Sequence, residues 1–212
     1  AIRRRESLIF WRTPAQWAQL LLVGSLVIVY VFNFKYFKVL HSTGFFTNIA
    51  LFFSHVGFSC MALITLAARF LYPSISAEGK ALWVVQSAPI SARSLLMAKV
   101  RWGLTPMWLL SQALTLTGAW LTDLSLVWLF AGAWASTLLT LGIVGLGVGL
   151  GAASPKFHLP NPMMVASSLG GVSFMLLSLL FMVLFCALAY PVVWVLNEGV
   201  QGAWPMGEGW VK

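Results

Sequence analysis

Long apolar runs separated by short polar stretches dominate the chain, and five of these runs are long enough to cross a membrane as helices. A helix needs about 17 to 25 residues to cross roughly 30 Å of hydrocarbon. The last run exceeds a simple span, and Pro191 is expected to end or bend it. The pattern predicts an all-α integral membrane protein with about five transmembrane helices, at residues 17–34, 45–68, 102–121, 124–153 and 163–196.

Composition excludes the soluble and the disordered classes of protein. Hydrophobic residues make up 60% of the chain and charged residues 8%, against roughly 45 to 50% and about 25% in a soluble domain. The 13 Lys and Arg residues outnumber the 5 Asp and Glu residues. Such an excess in a soluble protein would suggest nucleic acid as a partner, but in a membrane protein it marks one side of the bilayer, so we expect no nucleic-acid partner.

The positions of the basic residues predict the orientation. With a cytoplasmic amino terminus, most of them fall on the cytoplasmic side, as the positive-inside rule requires. The exceptions would be Lys35, Lys38 and Lys212. We therefore expect a multi-pass protein of the cell (inner or plasma) membrane. Its cytoplasmic basic residues would be Arg3, Arg4, Arg5, Arg12, Arg69, Lys80, Arg93, Lys99, Arg101 and Lys156.

The segments around the spans complete the predicted organisation. Residues 1–16 join a basic cluster to Phe10 and Trp11, which favours an amphipathic interfacial helix over a signal peptide. The chain begins with Ala, which is compatible with a fragment of a longer protein. The predicted segments are 1–16 (interfacial helix), 17–68 (transmembrane helices 1 and 2), 69–101 (cytoplasmic loop), 102–196 (transmembrane helices 3 to 5) and 197–212 (extracytoplasmic tail).

The loop 69–101 is the longest polar stretch, and it is predicted to form a short cytoplasmic helix. Pro73 ends the preceding span, Ser76 can cap a new helix with Glu78 in its first turn, and Pro89 follows its end. Two interpretations remain open. The helix either lies passively among lipid headgroups or docks onto a cytoplasmic partner.

Two stretches resemble one known family. They are RFLYPSISAEGKALWVVQSAPIS and GLGVGLGAASPKFHLPNPMMVASSLGGVSFMLLSLLFM, and together with their order they cover roughly half the chain. Both are similar to the permease subunits of type-2 ABC exporters. The resemblance implies an amphipathic amino-terminal helix, six spans and a coupling helix between spans two and three that fits a cleft in an ATPase subunit. The sixth span has no counterpart among the five predicted ones.

The resemblance also implies a site, partners and a function. ABC ATPase subunits, a second permease copy or homologous permease, and the lipid bilayer would be the partners. ATP and magnesium would bind to the ATPase, so this chain would hold no cofactor and would not be an enzyme. It would be the permease that couples ATP hydrolysis to export; the alternative is a non-transporting scaffold that recruits a cytoplasmic protein. The ATPase-coupling interface would consist of Glu78, Gly79, Lys80, Trp83 and Gln86.

A glycine-rich run at the end of the fourth span is predicted to pack against other helices. Gly145 with Gly149, and Gly147 with Gly151, have the small-xxx-small spacing that lets membrane helices approach closely. The run lacks the strand, the glycine turn and the Lys-Ser or Lys-Thr pair of a phosphate-binding loop.

Polar residues inside the spans suggest a translocation path or helix packing, and not catalysis. His55, Asn48 and Ser168 are the candidates for either role. No histidine or cysteine spacing indicates a metal site, and Cys60 and Cys186 are expected to be inert. No base and orienting acid lie at matching depth, so we predict no catalytic residues.

Overall fold

The computed structural model describes residues 24–25, 27–30, 32–33, 47–81, 92–157 and 162–203. In this part of the chain every regular element is a helix, which confirms the all-α prediction. Two short 3₁₀ helices, Tyr72–Ser74 and Ser76–Ala81, follow the first long helix. The α-helices are α1 (Asn48–Phe70), α2 (Ala92–Leu121), α3 (Leu126–Ala153), α4 (Pro162–Ala166) and α5 (Leu169–Ala203).

Three helical segments among the described residues are long and apolar enough to cross a membrane: Asn48–Ser74, Leu126–Ala153 and Leu169–Gly199. Five spans are therefore not shown. Most of the first predicted span, 17–34, lies outside the described residues. The third, 102–121, forms the later part of α2 but is not among the three, because Pro106, Gln112 and several Thr and Trp residues lower its hydropathy.

Helix α1 begins and ends at residues that suit those positions. Thr47 is the N-cap, and its Oγ1 accepts a hydrogen bond from the backbone N–H of Ala50 at 3.3 Å. At the other end Leu71 N–H donates to Ala67 O at 2.9 Å. Pro73 then lies in the first turn of a 3₁₀ helix, where its missing N–H costs little. The α-helix thus gives way to a tighter turn at the residue before the proline.

A tight turn joins α2 to α3, so these two helices pack side by side and antiparallel. Asp123 has φ of 56°, the left-handed conformation that Asp tolerates better than most residues. The backbone N–H of Leu124 donates to Ala119 O at 3.1 Å and thereby satisfies a carbonyl at the end of α2.

Helix α1 packs against α2, α3 and α5 and forms the centre of the bundle. The largest fully buried side chains include Trp128, Tyr72 and Phe174. Helix α5 is different, because only 11% of its most apolar 18-residue window is buried. It runs through Pro191 and does not end there. Its outer face is a continuous apolar surface that includes Leu176, Leu180, Val183, Leu184, Leu188, Val192 and Val195.

Candidate functional site: the junction after helix α1

The residues that follow α1 form a buried junction where several helix ends meet. We call Leu71–Glu78 the junction. Leu71, Tyr72 and Pro73 are buried, although they belong to a turn between helices. Ser74 Oγ donates to Leu71 O at 2.6 Å and Glu78 N–H donates to Ile75 O at 3.1 Å, so local hydrogen bonds fix the path of the chain.

Tyr72 connects the junction to α3 and α5. Its ring stacks on Phe174 with centroids 5.7 Å apart and planes at 21°, and it is 1% exposed. The Tyr72 hydroxyl lies 3.3 Å from Ser154 Oγ at the end of α3. Glycines make this fit possible: a Cβ on Gly151 would collide with the carbonyl oxygen of Tyr72, and one on Gly170 with its hydroxyl. The aromatic side chain is held on several sides.

An ion pair connects the junction to α2. Lys99 Nζ donates to Glu78 Oε1 at 2.8 Å, and both side chains are almost fully buried. Two charges removed from water are tolerated only when they pair closely, because desolvation costs several kcal/mol per ion. One turn further along α2, Gly103 lies so close to Leu71 that a Cβ there would be 2.7 Å from Leu71 Cδ2. The 3₁₀ helix Ser76–Ala81 is therefore fixed to α2.

A third connection runs to the segment that follows α3. The backbone N–H of Lys156 donates to Ser76 Oγ at 3.0 Å. Together with the Tyr72 and Glu78 contacts, it ties the junction to α2, α3 and α5 at one end of the bundle. A displacement of the junction must therefore move these helix ends or break their contacts.

Deeper in the bundle, polar side chains join α1, α2 and α3. Ser59 Oγ lies 3.4 Å from Ser111 Oγ, which in turn donates to Ser136 O at 3.5 Å. Gln112 Nε2 lies within hydrogen-bond distance of Ala133 O at 3.1 Å, Ser136 Oγ at 3.1 Å and Thr137 Oγ1 at 2.9 Å. We call this set the polar seam. Hydrogen bonds between membrane helices stabilise their association, and here they fix α2 against α3.

The predicted path residues lie in different surroundings. His55 is buried, and its Nε2 lies 3.0 Å from Thr122 Oγ1 at the α2–α3 turn. Asn48 is the first residue of α1 and is half-buried. Ser168 lies between α4 and α5, where its Oγ donates to Val165 O at 2.6 Å. The structure does not bring these three residues together at one depth, and their predicted role stays a prediction.

The predicted coupling residues are only partly described. Glu78 lies inside and binds Lys99. Gly79 and Lys80 belong to the 3₁₀ helix Ser76–Ala81, whereas Trp83 and Gln86 lie outside the described residues. The sequence indicated neither the Glu78–Lys99 pair nor the burial of Tyr72, because both depend on how distant helices meet.

The four glycines of the predicted packing motif divide into two pairs. Gly147 and Gly151 face the junction: a Cβ on Gly147 would lie 3.3 Å from Leu71 Cβ, and one on Gly151 would meet Tyr72. A Cβ on Gly145 or Gly149 would meet nothing within 4 Å. The first pair therefore packs against this chain's own junction, while the second lies on the outer surface of α3.

The described residues show no group of three or more His, Cys, Asp or Glu side chains that could hold a metal ion. Cys60 and Cys186, both in that part of the chain, are free thiols.

Comparison with known protein families gives one match, to a family described as "Putative ATP-binding cassette", over residues 3–205. No match was found among curated proteins or among solved structures.

The family match corrects four predictions. The family is described as an ATP-binding cassette and not as a permease, which contradicts both the resemblance to exporter permeases and the predicted export function. It equally contradicts the predictions that the chain is not an enzyme and that ATP binds only to a partner. The error arose because the apolar runs and the two motif-like stretches were interpreted through a family of membrane subunits.

The described residues do not fit ATP in the manner of a phosphate-binding loop. Such a loop lies between a strand and a helix and carries Gly-x-x-x-x-Gly-Lys followed by Ser or Thr, a pattern that the sequence lacks. The glycine-rich run, residues 142–151, lies inside α3, and three of its glycines face side chains or backbone of the same chain: Phe181 at Gly142, Leu71 at Gly147 and Tyr72 at Gly151. We therefore derive no step through bound ATP.

Proposed function

Because the chain belongs to a family described as an ATP-binding cassette, and three of its helices are long enough to span a bilayer, we propose that it is a membrane-embedded component of an ABC transporter system. The observation that carries this proposal is the junction. It lies at one end of the membrane-length helices and connects them mechanically through Tyr72 and the Glu78–Lys99 pair. A segment held in this way can transmit force from outside the membrane into the bundle.

Charge places the junction on the cytoplasmic side in this proposal. The described basic residues at the junction end are Arg69, Lys80, Arg93, Lys99, Arg101 and Lys156. At the opposite end of the bundle the described charged residues are Asp123 and Glu198. Basic residues accumulate on the cytoplasmic side of membrane proteins. The apolar outer face of α5 would then contact lipid.

The junction is also the proposed contact surface for ABC-system partners. Gly79 and Lys80, together with Trp83 and Gln86, would form that surface, and Glu78 would hold it in place from inside through Lys99. In this arrangement a partner that pushes on the 3₁₀ helix Ser76–Ala81 moves α2 directly. The Tyr72 contacts carry the movement to α3 and α5.

Purification of the full-length tagged chain from membranes in mild detergent, followed by measurement of ATP turnover, tests the proposal. We expect ATP turnover to co-purify with the chain and to fall when Glu78→Gln leaves Lys99 buried without its counter-charge. Glu198→Gln is the matched control, because Glu198 is exposed at the far end of α5. Absence of ATP turnover from the preparation, or wild-type turnover in a folded Glu78→Gln variant, would refute the proposal.

A further inference from the structure

The first turns of α2 carry an exposed basic surface that the junction does not use. Arg93, Met97 and Arg101 are spaced at i, i+4 and i+8, which places them on one side of the helix. All three are exposed. They line a cavity of about 370 Å³ together with Ser94 and Ala98. Since the two arginines lie eight residues apart, they are separated by about 12 Å along the helix axis.

Lys99 belongs to the opposite side of the same helix. Its ammonium group binds Glu78 inside the bundle, so the carboxylate of the junction is already occupied by a cation. The residues that line the cavity include two guanidinium groups and no carboxylate. The basic residues of α2 are thus divided between an inner ion pair and an outer surface that favours an anion.

The exposed surface of α2 changes character towards the middle of the helix. Trp108 is 41% exposed and Leu109 is 57% exposed, about four turns beyond Arg93. Gly103, between the arginines and Trp108, contacts Leu71 of the junction. The level of Arg93–Arg101 is therefore the level at which the bundle ends, and apolar surface follows from there inward.

The geometry points to a binding site for an anionic phospholipid, in which Arg93 and Arg101 hold the headgroup phosphate and the acyl chains lie along Met97 and Trp108. Guanidinium groups bind phosphate oxygens through paired hydrogen bonds. Basic residues immediately outside a membrane span attract anionic lipids. The alternation of two arginines with an exposed Met97 suits a ligand that is charged at one end and apolar at the other. This inference depends on the proposed membrane embedding.

Lipid binding can be measured on the full-length chain in nanodiscs of phosphatidylcholine containing phosphatidylglycerol. Native mass spectrometry of protein released from the nanodiscs counts the phosphatidylglycerol molecules that remain bound. We expect Arg93→Gln with Arg101→Gln to weaken phosphatidylglycerol binding about 30-fold. Arg69→Gln with Lys156→Gln is the matched control: it removes the same charge from the same end of the bundle and should retain binding.

Two further arms separate the possible results. Millimolar inorganic phosphate should not displace the lipid, since it lacks the apolar part; displacement by phosphate alone would overturn the assignment to lipid. Equal retention by wild type and the Arg93/Arg101 variant, with the protein inserted in the nanodisc, would overturn the lipid site and leave the proposed function intact. A chain that fails to insert would overturn both.

Discussion

The ammonium group of Lys99 lies 2.8 Å from the carboxylate of Glu78, and both side chains are buried where α2 meets the junction. This pair is a structural contact inside the chain, and it connects a 3₁₀ helix to a 30-residue α-helix. Breaking a buried pair by removing one partner is far more costly than replacing both partners, because the remaining charge stays in a poorly solvated position.

We predict that Glu78→Gln destabilises the folded chain by about 3 to 5 kcal/mol. Glu78→Leu combined with Lys99→Met should recover most of that loss, because neither charge is then buried. The measurement is unfolding in mild detergent, with Glu198→Gln as the control that removes an exposed carboxylate. A single variant as stable as the wild type, or a double variant no better than the single one, would contradict the importance of the pair.

Two glycines of α3, separated by one residue, should respond in opposite ways to the same substitution. Gly151→Ala should destabilise by about 1 to 3 kcal/mol, because its Cβ would collide with the Tyr72 carbonyl. Gly149→Ala should be neutral or stabilising by up to about 1 kcal/mol, since a Cβ there meets nothing and alanine favours helix. Thermal unfolding of both variants checks this. Equal behaviour of the two would refute the close contact between α3 and the junction.

Gln112→Leu should loosen α2 from α3. The amide nitrogen loses contacts with Ala133 O, Ser136 Oγ and Thr137 Oγ1, and we expect a loss of about 0.6 to 1.7 kcal/mol. Ser173→Ala provides the comparison, because Ser173 Oγ donates only within α5, to Gly170 O. Hydrogen exchange along α2 and α3 measures the effect. Unchanged protection in Gln112→Leu would show that the polar seam does not hold these helices together.

The sequence predicts the helices better than their contacts. The apolar run 124–153 is almost the same as α3, Leu126–Ala153, because a long uncharged stretch has few other stable conformations in a bilayer. Residues 102–121 were predicted as a span, yet they continue a helix that begins at Ala92. Hydropathy does not register that ten residues with two arginines and a lysine can remain helical when Lys99 turns inward.

The junction was beyond the reach of sequence patterns for a similar reason. Tyr72 and Pro73 lie in a stretch typical of a turn, where exposure is the ordinary expectation. Their burial depends on Gly151 and Gly170, which lie about 80 and 100 residues further along the chain and leave room for the tyrosine. A signal was present in the glycines, but their spacing indicated contact between helices and not contact with a turn.

The central claim is that the bundle crosses a membrane with its junction end in the cytoplasm, and site-specific thiol labelling of intact cells tests it most directly. Cys60 and Cys186 are first replaced by Ala, and Asp123→Cys or Phe157→Cys is then introduced at opposite ends of the bundle. We predict that a membrane-impermeant maleimide labels the cysteine at position 123 in intact cells and the one at position 157 only after the membrane is permeabilised. Labelling of position 157 from outside, or of both positions without permeabilisation, would contradict the account.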